Sequence, residues 1–292
     1  MSVVTVGDFD GVHLGHRALL REVVSYARSL ETSSVVITFD RNTKAFLLKT
    51  TPYYLTDTEE KKDLFFSEGI DTVYTVPFDE DFCNMSSEEF LDFLRDRYDC
   101  THLFGGSDFK FGKGGEGTLR DGVCCNGICQ HVVDLKTDLV KISSSSIRAA
   151  LAEGLIERAN SWLGAAYSLS GTVVEGKHLG RTLGFPTVNL FAPDGKILPQ
   201  NGVYVTETVI DGIVYRSLTN VGIRPTVKDG SIRNIETHLL DVDGDFYGRR
   251  ITVRFLTRLR DEIQFSDLGE LMRRLRLDKE MAFSWHNRKH FS

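Results

Sequence analysis

The sequence predicts an α/β domain followed by an all-β domain, the first built on a parallel sheet and the second on a compact antiparallel barrel with a terminal helix. Three observations predict it. Up to about residue 135 short apolar runs alternate with amphipathic stretches; after Ser170 the pattern changes to strands and tight turns; and 292 residues, 41% of them hydrophobic, suffice for two cores. The boundary is expected at 165/166, giving domains 1–165 and 166–292.

The runs Val3–Val6, Ser34–Phe39, Thr72–Val76, Thr101–Gly105 and Cys129–Val133 are short, rich in β-branched and aromatic residues and bounded by breakers, which predicts buried strands. Between the first two, Leu20, Val23, Val24, Ala27 and Leu30 fall on one helical face. Ser86 followed by Glu89 forms a capping box that opens a helix through about Arg97, with Phe90, Leu91 and Leu94 as its apolar stripe. Such alternation implies right-handed crossovers, with ligands bound at the carboxyl ends of the strands. The glycine-rich "GKGGEG", Gly112 to Gly117, is expected to be a mobile loop. Helices cluster from Ser144 to Leu163, one stopped by Gly154, and "GAAYSLS", Gly164 to Ser170, reads as the passage between domains. Beyond it, Asp211-Gly212 and Asp243-Gly244 predict hairpin turns, because Asp-Gly tolerates positive φ at both central positions. A last helix begins near Ser266, with Leu268, Leu271, Met272 and Leu275 expected against the barrel, and Trp285 and His286 expected as core.

A net charge of −6 and a pI near 5.8 leave no sequence-wide basic footprint, so a nucleic-acid partner is not expected. No apolar run reaches the about 18–20 residues that span a bilayer, and the start of the chain carries no basic region followed by an apolar one, so the expectation is a soluble cytoplasmic protein without a membrane partner. Five cysteines in spacings that make no paired CxxC sets read as reduced structural thiols.

The motif that carries chemistry is "GDFDGVHLGH", Gly7 to His16, placed where the first strand gives way to the first helix. A helix N-terminus offers unpaired N–H groups and a partial positive charge to phosphate. His13 and His16 add side-chain donors there, while Gly11 and Gly15 allow close approach to the backbone. Taken alone, His-x-x-His is equally consistent with a metal site or a solvated helix start. "GGSDFKFGKGG" lacks the GxxxxGK[ST] spacing of a phosphate loop.

In its fuller form GxFDGxHxGH, this motif resembles the nucleotidyltransferase superfamily and, within it, the prokaryotic bifunctional riboflavin kinase/FAD synthetases. "SSSSIR" is similar to that superfamily's SSTxIR element, with Ser143, Ser144 and Ser145 ahead of Arg148, and "GGSDFKFG" is similar to its G-x-D/N-F-x-F-G segment, which includes Asp108. "GRTLGFPTVNL", Gly180 to Leu190, resembles the flavokinase PTAN element with Val188 in place of alanine, and "TNVGIRPTV", "IETHLLD", "FYGRR" and "LRDEIQF" follow in the flavokinase order. The resemblance covers nearly the whole chain and implies a Rossmann-like nucleotidyltransferase domain followed by a flavokinase barrel.

It further implies two reactions with ATP as co-substrate and Mg²⁺ as the metal. In the barrel, riboflavin becomes FMN and ADP leaves; Glu236 is the expected base, Thr187 and Asn189 the expected magnesium ligands, and Gly180 and Gly184 the glycines of the nucleotide loop. In the first domain, FMN becomes FAD and pyrophosphate leaves. There Gly7, Asp8, Phe9, His13, Gly15, His16, Asp108, Ser144, Ser145 and Arg148 are expected to bind and align the nucleotide, without a base, because FMN phosphate is already anionic. One departure stands out. Where the family often has Phe-Asp-Pro-His-Pro, this chain has "FDRNTKAF", which keeps Asp40 alone. That motivates an alternative, a riboflavin kinase with weakened or lost FAD synthesis; a second is an adenylyltransferase for another phosphate ester with a flavin-binding regulatory barrel.

Overall fold

In chain order the first half forms β1 (Ser2–Val6), α1 (Leu14–Ser29), β2 (Ser33–Phe39), α2 (Thr43–Leu48), α3 (Thr58–Ser67), β3 (Thr72–Val76), α4 (Glu80–Asn84), α5 (Ser87–Tyr98), β4 (Cys100–Gly106), β5 (Lys110–Phe111), β6 (Gly117–Thr118), β7 (Cys124–Cys125) and β8 (Ile128–Val133). The computed structural model describes residues 1–51, 53–134, 142–174, 185–191, 194–225, 231–240, 242 and 244–289. Contacts divide the chain into two units, Met1–Ser144 and Ser145–Ser292.

The sheet of the first unit has the order β3-β2-β1-β4-β8-β7, parallel throughout except for β7. The chain leaves β1 toward β2 and β3 on one side and returns to β4 and β8 on the other, so the side on which strands are added switches at β1, and the crevice at the carboxyl end of β1 is where such sheets bind ligands. Alternate residues bury opposite faces. Val3, Val36 and Phe104 pack with Leu20, Val23 and Ala27 of α1, while Val4, Ile37 and Leu103 pack with Phe90, Leu91 and Leu94 of α5. The predicted capping box of α5 is formed, with Glu89 N–H donating to Ser86 Oγ (3.2 Å) and Ser86 N–H to Glu89 Oε2 (2.7 Å). Leu30 departs from expectation: it caps the end of α1 and is exposed. Residues 112–117 are structured as the turn of the β5–β6 hairpin, with one 3-10 turn at Lys113–Gly115, rather than standing as an open loop.

The cysteine reading also needs correction. Cys124 and Cys129 are disulfide-bonded across β7 and β8, because Asn126 (φ 50°) and Gly127 (φ 79°) make a tight two-residue turn that sets the two side chains face to face. Cys83, Cys100 and Cys125 are free, and burial pushes the Cys100 thiol up to about 12.

The chain continues with α6 (Ser144–Ala152), whose first residue belongs to the first unit and the rest to the second, and the second unit then contains α7 (Ile156–Leu163), β9 (Tyr167–Val174), β10 (Thr187–Leu190), β11 (Gly202–Ile210), β12 (Ile213–Pro225), β13 (Ser231–Leu239), β14 (Arg250–Arg260) and α8 (Leu268–Lys289). Its strands close an antiparallel barrel in the order β10-β13-β12-β11-β14-β9. The stretch read as an interdomain passage is a helix-to-strand joint: Gly164 ends α7 in a left-handed conformation and Tyr167 opens β9. Asn160 of α7 donates to Phe255 O (2.8 Å) and accepts from Tyr167 N–H (2.7 Å), so α7 packs with the barrel and the packing boundary lies ahead of 165/166.

Asp211 (φ 50°) and Gly212 (φ 79°) form the expected β11–β12 hairpin turn. The second Asp-Gly makes no hairpin, since β13 pairs with β10 and β12 while β14 pairs with β11 and β9; Asp243 itself lies outside the described residues. Inside the barrel Tyr204 meets Phe255 edge-on (5.3 Å) beside a chain of buried hydroxyls running from Thr208 through Ser217, Thr206 and Thr219 to Thr237. Outside it, Val203, Val205, Leu218 and Leu256 pack under Ala282, Phe283 and Trp285 of α8.

The apolar stripe expected at the start of α8 is not what seats it, for Leu268 is exposed. Asp278, Ala282 and His286 are the buried positions. Arg260 of β14 grips the Asp278 carboxylate with Nε (3.0 and 3.1 Å) and Nη2 (2.6 Å), and Arg274 adds a contact of 3.1 Å. Asp278→Ala strands a shielded guanidinium and should lower the stability of the second unit by about 3–5 kcal/mol. Trp162 and Trp285 are the only tryptophans and both lie in this unit, so an unchanged midpoint of urea unfolding followed by tryptophan fluorescence would refute that expectation.

Candidate active sites

Gly7 N–H donates to Ile37 O (3.0 Å) as the chain leaves the sheet, and the next residues form a wound loop. Phe9 (φ 50°), Gly11 (φ 82°) and Val12 (φ 37°) are all left-handed, a costly state for a β-branched valine that persists only where the surroundings enforce it. They do. The Asp10 carboxylate accepts from the amides of Leu55 (2.8 Å) and Thr56 (3.2 Å), Gly11 N–H donates to Thr56 Oγ1 (2.9 Å), and Ser144 Oγ donates to Asp10 O (2.9 Å).

The loop delivers His13 to the N-cap of α1, where its Nδ1 accepts from His16 N–H at 3.3 Å. The rings of His13 and His16 stack at 3.6 Å, with Phe9 edge-on to His16 at 5.2 Å. Burial brings His13 down to about 4, and burial, His13 and Lys61 together hold His16 well below the usual histidine range. Both imidazoles are therefore neutral at pH 7. Since Nδ1 of His13 accepts, its proton sits on Nε2, which becomes a fixed donor. His16 Nδ1 is buried without a hydrogen-bond partner.

Lys61 belongs to this site and was missed in the sequence. It is 4% exposed, and its Nζ reaches Asp8 O (3.1 Å), Thr38 Oγ1 (3.2 Å) and Asp8 Oδ1 (3.6 Å). The available signal was a lysine four residues before the buried Phe65 on α3, a helix whose Asp57–Glu60 capping box fixes its start. Gly7 and Asp8 also line a cleft of about 500 Å³ walled by Phe39, Phe78, Phe82, Phe90, Phe109 and Phe111. Asp108 is exposed beside that wall and does not line it. "FDRNTKAF" contributes to the same wall: without prolines it folds as α2, capped by Asn42 Oδ1 on Ala45 N–H (2.8 Å), and Thr43 and Leu47 face the cleft. Asp40 accepts from Phe78 N–H (3.1 Å), and the adjacent Arg41 guanidinium holds its carboxyl below the usual range. Ser145 is exposed and Arg148 half-buried on the first turns of α6.

The second site lies on the outer face of the barrel. Register places Asn189 of β10 opposite Glu236 of β13, and Glu236 opposite Asn220 of β12, so one row of polar side chains crosses three strands. Asn234, two residues from Glu236 and absent from the sequence expectation, donates from Nδ2 to Glu236 Oε1 (2.8 Å) and Asn189 Oδ1 (3.2 Å). Thr187, Glu236, Asn220 and His238 line a cleft of about 270 Å³ opposite Leu271 and Leu275 of α8, while Asn189 is buried behind it. Thr187 hydroxyl, Asn189 carbonyl and Glu236 carboxylate are all hard oxygens, and Asn234 Oδ1 is buried without a partner. That donor set fits Mg²⁺, which takes few protein ligands and completes its shell with phosphate and water. Gly180 and Gly184 lie outside the described residues.

The buried histidines set a pH dependence. His13 titrates near 4 folded and near 6.5 unfolded, so the unfolded chain binds the extra proton as pH falls between those values. The first unit should be fully stable above about pH 6.5 and lose on the order of 3 kcal/mol by about pH 4. His13→Gln should make that slope shallower in circular-dichroism denaturation, with His16 supplying the remainder; an equal slope in the variant would place its origin elsewhere.

Comparison with known proteins agrees with the division of chemistry. A family model described as FAD synthetase matches residues 1–146, and one described as riboflavin kinase matches residues 163–286. The bifunctional riboflavin kinase/FMN adenylyltransferase of Bacillus subtilis is 34% identical over 97% of this chain and 92% of its own length; that of Escherichia coli K12 is 35% identical over 96% and 91%. The Listeria monocytogenes protein of the same description is 32% identical over 95% and 90%. A crystal structure from Streptococcus pneumoniae described as a macrolide-efflux protein superposes with a TM-score of 0.87 at 30% identity, covering 97% of this chain and 94% of that one. Among the described residues no helix is long and apolar enough to cross a membrane. Two family matches in the order of the two folds, with relatives aligned almost end to end, place the chain in the family of bifunctional riboflavin kinase/FMN adenylyltransferases.

Proposed function

We propose that the barrel domain transfers the γ-phosphoryl group of ATP to riboflavin and the parallel-sheet domain transfers the adenylyl group of a second ATP to the resulting FMN, yielding FAD and pyrophosphate. The observation that carries this reading is the contrast between the sites: the barrel row holds a carboxylate, Glu236, between Asn189 and Asn220, and the loop after β1 holds two stacked, neutral imidazoles.

Riboflavin's 5′-hydroxyl must lose a proton as its oxygen bonds to γ-phosphorus and the bridging P–O bond to ADP breaks. Asn234 holds Glu236 by Oε1, leaving Oε2 to take that proton. Thr187 Oγ1 and Asn189 Oδ1 would hold Mg²⁺, which when bound would neutralise phosphate charge. FMN adenylylation moves no proton, since an anionic phosphate oxygen attacks α-phosphorus directly. Alignment and charge stabilisation then suffice, and within the first unit His13 Nε2–H, His16, the amides of the loop and Ser144 are there to supply them.

The six-phenylalanine cleft suits the flat flavin ring better than an aliphatic phosphate ester, and α2 still walls it, which supports retained FAD synthesis without the prolines. ATP as co-substrate of both steps supports a cytoplasmic setting, and the net charge of −6 gives no support to a nucleic-acid partner.

Supplied with riboflavin, ATP and Mg²⁺, the protein should produce FMN and then FAD by chromatography; failure to convert supplied FMN would refute the adenylyltransferase half. His16→Ala should slow FAD formation by about 10²–10³-fold and spare FMN formation. Glu236→Gln should cut FMN formation by about 10²–10⁴-fold while FAD synthesis from supplied FMN continues, and Asn189→Ala should divide the two activities in the same direction.

A further inference from the structure

We infer that His238 is a positioning residue of the phosphoryl-transfer site, clamping the Pro186 carbonyl and through it the presentation of Thr187. The inference rests on the reading that Thr187 meets the magnesium–phosphate end of the nucleotide.

β10 begins at Thr187, whose register partner on β13 is His238. The preceding Pro186 has no N–H, so the ladder cannot be extended through it in the usual way, and its carbonyl projects beyond the last strand pair. His238 supplies the missing pairing from its side chain. Its Nδ1 lies 2.8 Å from Pro186 O, and because a carbonyl oxygen only accepts, Nδ1 carries the proton. The ring is 9% exposed and meets Phe185 at 5.2 Å, so it touches both residues that lead into Thr187. Register pairing puts Thr187 and His238 on one face of the sheet, and the i, i+2 spacing puts Glu236 there too; all three line the same cleft. The strand end that carries the Thr187 hydroxyl is thus fixed by an imidazole donor, where one freed peptide rotation would swing that hydroxyl out of the cleft that Glu236 shares.

Three replacements separate this role from simple packing. The side-chain amide of Asn places an N–H close to the position of His Nδ1, whereas Gln places it near Nε2 and Ala provides none. His238→Ala and His238→Gln should raise the Mg²⁺ concentration for half-maximal FMN formation by about 10–100-fold, as supporting partners of metal ligands do, with much of the lost rate restored at high Mg²⁺. His238→Asn should stay within a few-fold of wild type, and FAD synthesis from supplied FMN should be unchanged in all three. A His238→Asn variant as impaired as His238→Ala, or a rate lost with Mg²⁺ dependence unaltered, would overturn the assignment. If His238→Ala does not fold, the Asn and Gln pair still decides. A wild-type protein that makes no FMN would instead overturn the kinase reading on which the inference rests.

Discussion

One hydrogen bond governs the chemistry of the first unit: the His16 amide donating to Nδ1 of His13. As a helix cap it satisfies one of the unpaired amides at the start of α1. As a tautomer lock it moves the His13 proton to Nε2, and as a spacer it stacks the second imidazole on the first. The bond requires His13 to sit in an extended conformation directly after the left-handed Val12, and Val12 holds that conformation because Asp10 is pinned by two amides of another segment. Remove the Asp10 anchor and the valine relaxes, the cap is lost and the imidazoles separate. Buried neutral imidazoles suit the triphosphate proposed to bind beside them. A charged pair would repel itself at that distance and pay for desolvation twice, whereas neutral N–H groups donate without either cost.

The barrel solves a different problem with a different device. A strand alternates its faces, so a polar row on the outside can stand directly behind an apolar or hydroxyl-lined interior without disturbing it. Ile235 and Thr237 point into the barrel core while Asn234, Glu236 and His238 face outward. Asn234 bonds to both Asn189 and Glu236, so the proposed base and the proposed magnesium ligand share one support and hold their spacing together. Such a shared amide fixes geometry more economically than two separate partners.

Local patterns were legible in the sequence wherever the physics is local. The five parallel strands of the first sheet, the Ser86 capping box, the Asp211-Gly212 turn and the placement of the histidine motif at a strand-to-helix junction all follow from neighbours within four residues. What escaped depends on partners far along the chain. Lys61 matters because Asp8 lies 53 residues before it, and Asp278 is buried because Arg260 awaits it, which no helical stripe of leucines could indicate. The Cys124–Cys129 bond is illegible in composition and CxxC spacing although its partners are near, because it depends on the left-handed Asn126-Gly127 turn that sets the two side chains face to face. The second Asp-Gly misled for the opposite reason: turn chemistry says that a chain can reverse, and nothing about which strand it returns to. Among the site residues, Glu236, Thr187 and Asn189 could be named only through family resemblance, since a glutamate or threonine in a strand has no local mark of function.

The terminal helix links stability to activity in the second unit. Its C-terminal half is seated by Ala282 and the Asp278–Arg260 pair, and its N-terminal half presents Leu271 and Leu275 to the cleft opposite Thr187 and Glu236. A helix is stiff over this length, so the buried ion pair that docks one half also sets the position of the other. The seat is polar where a run of leucines would bury more apolar area. An ion pair with two fixed nitrogen contacts admits one register of the helix on the barrel, whereas a smooth apolar stripe tolerates sliding by a turn. Sliding by a turn would carry Leu271 and Leu275 out of line with Glu236, and so the cost of burying Asp278 is understandable as the means of keeping the cleft's two walls in register.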